Sequence, residues 1–96
     1  MTEIWRKQIE ELCLAFRIKT KLVSRPTLNT ACLSNRTIEI APILSSISYC
    51  SALHEIGHVA MNSFDELEAW QWAKREAWNW TPRMEKCMID SIESHA

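Results

Sequence analysis

Residues 54 to 58 read His-Glu-Ile-Gly-His, and this short stretch constrains the chain more than any other. Two histidines four positions apart lie on one face of a helix, one turn from each other. Their imidazoles can therefore reach a single metal ion at about 2.0–2.1 Å. Glu55 directly follows the first histidine, so it points to the flank of that ion. There a carboxylate can hold and deprotonate a water molecule. A zinc ion lowers the pKa of such a water from ~16 to about 7. The H-E-x-x-H pattern is accordingly the local signature of zinc peptidase chemistry.

The bland alternative is a polar turn on a surface helix. Two of the chain's three histidines fall inside the motif. The flanking residues Ala52, Leu53, Ile56, Val59 and Ala60 are apolar. Both facts favour a core-facing helix that carries a metal site.

The sequence has 96 residues, which is one domain's worth. That length supports one modest core and no second one. Eleven Lys and Arg against twelve Asp and Glu give a net charge of −1, so no basic footprint points to nucleic acid. No apolar stretch approaches the ~18–20 residues needed to span a bilayer. The N-terminus, Met-Thr-Glu-Ile-Trp-Arg, has no signal-peptide pattern, which predicts a cytoplasmic protein. Cys13, Cys32, Cys50 and Cys87 are dispersed, with no C-x-x-C pair. Free thiols are expected, because the cytosol keeps thiols reduced.

The chain has one Gly and five Trp. Few glycines mean few tight turns and mostly helix. The tryptophans supply large contact areas to a small core. Ile4, Trp5, Ile9, Leu12, Cys13 and Phe16 recur at helical spacing over 2–17 and predict an amphipathic helix covering a sheet. A short strand is expected over 18–24, broken at Arg25-Pro26. Residues 31–33 and 37–41 flank a polar Ser34-Asn35-Arg36 turn and read as a β-hairpin. Thr37 and Glu39 alternate with Ile38 and Ile40, the period of a half-buried strand.

Ser46 or Ser48 is expected to cap the motif helix, which runs to about Met61. Asp65 caps the next helix, about 66–79. Thr81-Pro82 starts the last one, with Thr as the cap and Pro at the first helical position. The expected fold class is α+β: an N-terminal helix, a small antiparallel sheet of two to three strands, the motif helix and two further helices.

A catalytic zinc commonly has three protein ligands and one open position. Asp65, Glu66, Glu68, Glu76 and His95 are the downstream candidates for the third. Glu66 and Glu68 lie on nearly opposite sides of one helix. Glu66 shares its face with Ala69, Trp70, Ala73 and Ala77, small and apolar enough for close packing on the motif helix. Glu68 shares its face with Trp72, Arg75 and Asn79. The faces favour Glu66.

Leu53-His54-Glu55-Ile56-Gly57-His58, followed by Glu66-Leu67-Glu68-Ala69-Trp70-Gln71-Trp72-Ala73, resembles the ImmA/IrrE family of metallopeptidases within the gluzincin group. The resemblance covers about residues 37 to 80. It implies a minimal zincin-like domain, of the kind carried by phages and mobile elements. In that family a second helix similar to E-x-E-A-x-x-F-A supplies a Glu as the third zinc ligand. The Glu66-x-x-Ala69 spacing matches it. Trp70 departs from the family's usual Asp or Asn partner of a zinc-bound histidine. The implied substrate is a protein or peptide, such as a transcriptional repressor or an antitoxin.

The resulting expectation is a zinc-dependent metallopeptidase. His54, His58 and Glu66 hold Zn²⁺, and Glu55 is the general base. Tyr49, Arg83 and His95 are candidates to stabilise the oxyanion. A strand over 37–41, at the edge of the sheet, would hold an extended substrate by strand addition. One alternative is a zinc-binding interaction module with little or no turnover. Another is a structural zinc domain, which needs His95 or a Cys as a fourth ligand.

Overall fold

A computed structural model describes residues 1–95. Four helices and a three-stranded sheet follow one another as α1 (Thr2–Ala15), β1 (Lys19–Leu22), β2 (Thr30–Cys32), β3 (Thr37–Ile40), α2 (Ser46–Met61), α3 (Glu66–Glu76) and α4 (Pro82–Ser94). A single 3-10 turn, Pro26–Leu28, joins β1 to β2. The α+β class and the element order expected from the sequence hold.

The motif helix α2 is the centre of the molecule. Eleven of its sixteen residues are buried, so it is enclosed on nearly every side. β2, β3 and the 3-10 turn pack on it, as do α1, α3 and α4. Its start is a capping box. The Ser45 hydroxyl accepts from the Ser48 backbone N–H at 3.2 Å, and the Ser48 hydroxyl accepts from the Ser45 N–H at 2.9 Å. The cap is therefore Ser45, one residue before the expected pair, with Ser48 as its reciprocal partner. Asp65 and Thr81 cap α3 and α4 as read from the sequence.

The sheet is mixed rather than antiparallel, with strand order β1-β3-β2. β2 and β3 form the expected antiparallel hairpin, with Ala31 opposite Ile38. β1 pairs with β3 in parallel, Lys19 opposite Thr37 and Leu22 opposite Ile40. β3 is thus the central strand, not an edge. The physical reason is burial. Ile38 and Ile40 of β3 point into the core, whereas all four residues of β1 are exposed. The most apolar strand takes the position where both of its edges are paired.

Helix α1 also differs from expectation, because it packs chiefly on α2 rather than on the sheet. Trp5 stacks on Tyr49 at 4.9 Å between ring centroids, and its indole N–H donates to Asn79 Oδ1 at 2.9 Å. The Gln8 amide donates to the Glu76 carbonyl. These contacts draw α1 toward the helical layer. They leave a groove of about 680 Å³ between α1 and the sheet, lined by Ile9, Leu14, Ile18, Leu22, Ile40 and Ile43 among others.

Three non-glycine residues, Arg17, Arg36 and Asn62, adopt the left-handed conformation at turns. The only glycine is used elsewhere. Gly57 lies inside α2 where α3 crosses it. A Cβ there would stand 2.7 Å from the Ala69 carbonyl oxygen and 3.2 Å from Trp72 Cε3. Ala69 and Ala73 supply the small residues on the opposing helix, both buried. Trp72 closes the contact from the side, its ring edge-on to Phe16 at 5.8 Å.

Gly57→Ala should therefore destabilise the fold by about 1–3 kcal/mol, the usual cost of overpacking, despite alanine's better helix propensity. Urea unfolding of the two proteins measures this. An unchanged midpoint would contradict the close packing of α3 on α2.

Candidate metal centre

The close approach of α2 and α3 places three side chains together. His54 and His58 project from one face of α2, and Glu66 from the first turn of α3. One ligand atom from each lies within 4.8 Å of the others. His54 Nε2 is 2.8 Å from Glu66 Oε2, and His58 Nε2 is 3.0 Å from Glu66 Oε1. Ligands of a tetrahedral ion with bonds of 2.0–2.1 Å stand about 3.3 Å apart. The observed spacing is close to that, so this buried group could hold a metal ion.

The hydrogen-bond pattern supports the same reading. His58 Nδ1 donates to the Ser63 carbonyl oxygen at 2.8 Å, since a carbonyl only accepts. In a neutral ring, that leaves a lone pair on Nε2, aimed at a carboxylate oxygen. Two lone pairs at this distance repel unless a proton or a metal ion lies between them. His54 Nε2 and Glu66 Oε2 are both buried, and neither has a hydrogen-bond partner despite their proximity. Orphaned atoms of this kind, converging from an imidazole and a carboxylate, fit a cation as the missing partner.

Each ligand is held by the chain around it. Asn62 ends α2 in the left-handed conformation, and Ser63 N–H donates back to the His58 carbonyl at 3.0 Å. This closure of the helix end turns the Ser63 carbonyl toward the His58 ring. Two residues later, Asp65 accepts from the Glu68 N–H at 3.0 Å and starts α3. Glu66 is then its first residue, so the short spacer after His58 delivers the carboxylate directly.

His54 is oriented differently. Its ring stacks on Trp70, with centroids 4.4 Å apart and planes within 6°. Trp70 in turn donates its indole N–H to Ser91 Oγ on α4 at 3.1 Å. Position 70 carries no Asp or Asn to hydrogen-bond a histidine of the group. An aromatic face supports His54 instead, and a hydrogen bond fixes the face.

Glu55 is buried and stays outside the ligand group, as its position after His54 requires. Its carboxylate lies 3.5 Å from His54 Nδ1 and lines the same cavity as the three ligands. That cavity measures about 510 Å³. Pro26, Thr27, Asn29 and Ala31 line it, as do Cys87, Ser91 and His95 of the α4 region. Phe64 stands at its border, highly exposed.

The remaining candidates separate clearly. Glu68 is exposed and takes no part, so Glu66 is the carboxylate of the group. Tyr49 is fully buried away from the cavity. Its hydroxyl donates to Gln8 Oε1 and accepts from the Trp78 N–H at 2.8 Å. Arg83 is exposed and does not line the cavity. His95 does line it. Its Nδ1 lies 4.0 Å from Glu66 Oε2 and donates to the Ser91 carbonyl at 2.8 Å. Ser91 and the cavity position of Cys87 were not read from the sequence, where Trp70 stood only as a departure from the family pattern. The spacing of Cys87, Ser91 and His95 by four was the available signal, since it puts all three on one face of α4.

No protein-family model, curated protein or solved structure matches the chain. The site stands on its own geometry.

His58→Ala and Glu66→Ala should each abolish stoichiometric metal binding, while Glu68→Ala leaves it intact. Trp70→Leu should weaken binding by about 10–100-fold, the usual cost of losing a partner that orients a ligand. Titration with zinc against a competing chelator reads all four variants. Full affinity in Glu66→Ala would remove the carboxylate from the site.

Proposed function

We propose that the chain is a zinc-dependent metallopeptidase acting on a protein or peptide substrate. The observation that carries this reading is the position of Glu55. A metal site that only stabilises a fold has no use for a buried carboxylate beside the ligands and open to the same cavity. Among the described residues, no fourth His, Cys, Asp or Glu joins the group. A three-ligand site leaves a position for water or substrate, as catalytic zinc sites do. Two imidazoles and a carboxylate are a common zinc donor set.

His54, His58 and Glu66 would hold the ion, which when bound supplies Lewis acidity toward the scissile carbonyl. Glu55 accepts a proton from the attacking water. It then delivers that proton to the departing amine. His95, at the cavity wall near Glu66, is placed to donate to the developing oxyanion.

The substrate would lie as an extended segment. β3 is central, so the free edge nearest the site belongs to β2. Ala31 of β2 and Asn29 just before it line the cavity. A peptide adding to that edge would pair its backbone with the sheet. The resemblance of the motif and second helix to ImmA/IrrE peptidases suggests a repressor or antitoxin as the natural target. Among the described residues, no helix is long and apolar enough to cross a membrane.

Glu55→Gln should retain zinc and fold but cut peptides about 10²–10⁴-fold more slowly, as expected on removing a general base. A mixed peptide library, read by mass spectrometry with zinc-loaded protein, gives the comparison. Equal cleavage by wild type and Glu55→Gln would sink the mechanism. A loaded wild type that leaves the whole library intact would favour an interaction module of the same fold.

A further inference from the structure

Phe64 and Leu67 are large apolar residues left 67% and 50% exposed, and both stand beside the candidate metal centre. Single exposed apolar side chains are ordinary on a protein surface. These two are not isolated. With Ile92 they surround a hollow of about 380 Å³ whose other walls are Asp65, Glu66 and His95. Phe64, Glu66 and His95 also line the metal-site cavity, so the two spaces meet at a residue of the ligand group.

We infer that this hollow is the subsite that selects the substrate: it takes a large apolar side chain, of leucine or phenylalanine size, from a residue next to the scissile bond. The inference rests on the peptidase reading and names the substrate class for that site.

Three parts of the chain build the hollow. Phe64 comes from the short linker between α2 and α3, with its ring 6.0 Å from the His58 ring. Leu67 directly follows Glu66 in the first turn of α3. Ile92 comes from α4, is half-buried and packs against the core, which gives the hollow a firm wall. The contacts that set the ligands also pin the linker. Ser63 N–H donates to the His58 carbonyl, and Asp65 accepts from the Glu68 N–H. Subsite and ligand group are therefore held together. Consecutive Cα atoms of a peptide are ~3.8 Å apart. A peptide with its carbonyl at the metal thus brings flanking side chains within reach of the border at Glu66.

Apolar contact supplies attraction, and charge supplies exclusion. A side chain seated against Phe64, Leu67 and Ile92 removes apolar surface from water on both partners. Among the described residues, no Lys or Arg lines the hollow or the metal-site cavity, whereas Asp65 lines the hollow. An acidic side chain would meet a like charge there. The expected order of preference is large apolar, then small, then acidic.

The test is isothermal titration calorimetry of zinc-loaded protein with two small hydroxamate series. Acetyl-leucine hydroxamate and the N-methyl amide of isobutylsuccinyl hydroxamate carry the same isobutyl group on opposite sides of the zinc-binding head. Each is compared with its counterpart lacking that group, and acetyl-aspartate hydroxamate supplies the acidic case. In one series the isobutyl compound should bind about 10–200-fold more tightly than its counterpart. Acetyl-aspartate hydroxamate should bind no more tightly than acetyl-glycine hydroxamate. Phe64→Ser and Leu67→Ser should each lower the isobutyl preference several-fold while zinc stays bound; both side chains are exposed, so the core is unchanged. Leu22→Ser, at an exposed position on β1, should keep the preference. Equal affinity or no binding in both series, or a preference that survives both Phe64→Ser and Leu67→Ser, would overturn the subsite. A protein that keeps a Phe64-dependent preference yet cuts no peptide loses the peptidase reading and keeps the subsite.

Discussion

The contact between Gly57 and the Ala69 backbone is the constraint on which the rest depends. Without a side chain at 57, α3 approaches α2 closely enough to lay its first turn beside the two histidines. Any Cβ would meet a carbonyl oxygen at 2.7 Å. A backbone oxygen cannot rotate away as a side-chain end can, so α3 itself would have to move. Glu66 is the first residue of that helix and would move with it. One glycine thus links core packing to the chemistry of the site. The chain's lone glycine is placed there, while its left-handed turns are left to Arg17, Arg36 and Asn62.

The site itself is an electrostatic arrangement that could hold a cation. A carboxylate faces two imidazole nitrogens at 2.8 and 3.0 Å. Burial raises the cost of leaving such groups without a partner. Each histidine is then held by a different device. A backbone carbonyl at the helix end fixes His58 and its tautomer. Trp70 fixes His54 by stacking, and the Ser91 hydroxyl on α4 fixes Trp70. The last helix therefore supports the candidate metal centre without offering a ligand from the group. Outer contacts of this kind set ligand orientation as much as the ligands' own positions do.

Much of this was legible locally. The i, i+4 spacing placed His54 and His58 on one face. The contrast between small apolar and polar neighbours selected Glu66 over Glu68. Asp65 and Thr81 were readable as caps because an N-cap side chain satisfies backbone donors within its own turn. What could not be read was set by long-range choices. Strand order followed from burial of Ile38 and Ile40, which moved the free edge near the site from β3 to β2. Tyr49 was drawn from the site by Gln8, 41 residues away, and by Trp5. Trp70 looked like a loss when judged by hydrogen bonding alone. Stacking and a partner on α4 become visible only once the helices are packed.

The most direct test of the metal centre is X-ray absorption at the zinc edge of the loaded protein. Two imidazoles and one carboxylate at about 2.0–2.1 Å, with a fourth light-atom scatterer and no sulfur, is the predicted shell. A sulfur scatterer near 2.3 Å would bring a cysteine into the site. That result would contradict the three-ligand centre and the open position on which the catalytic reading rests.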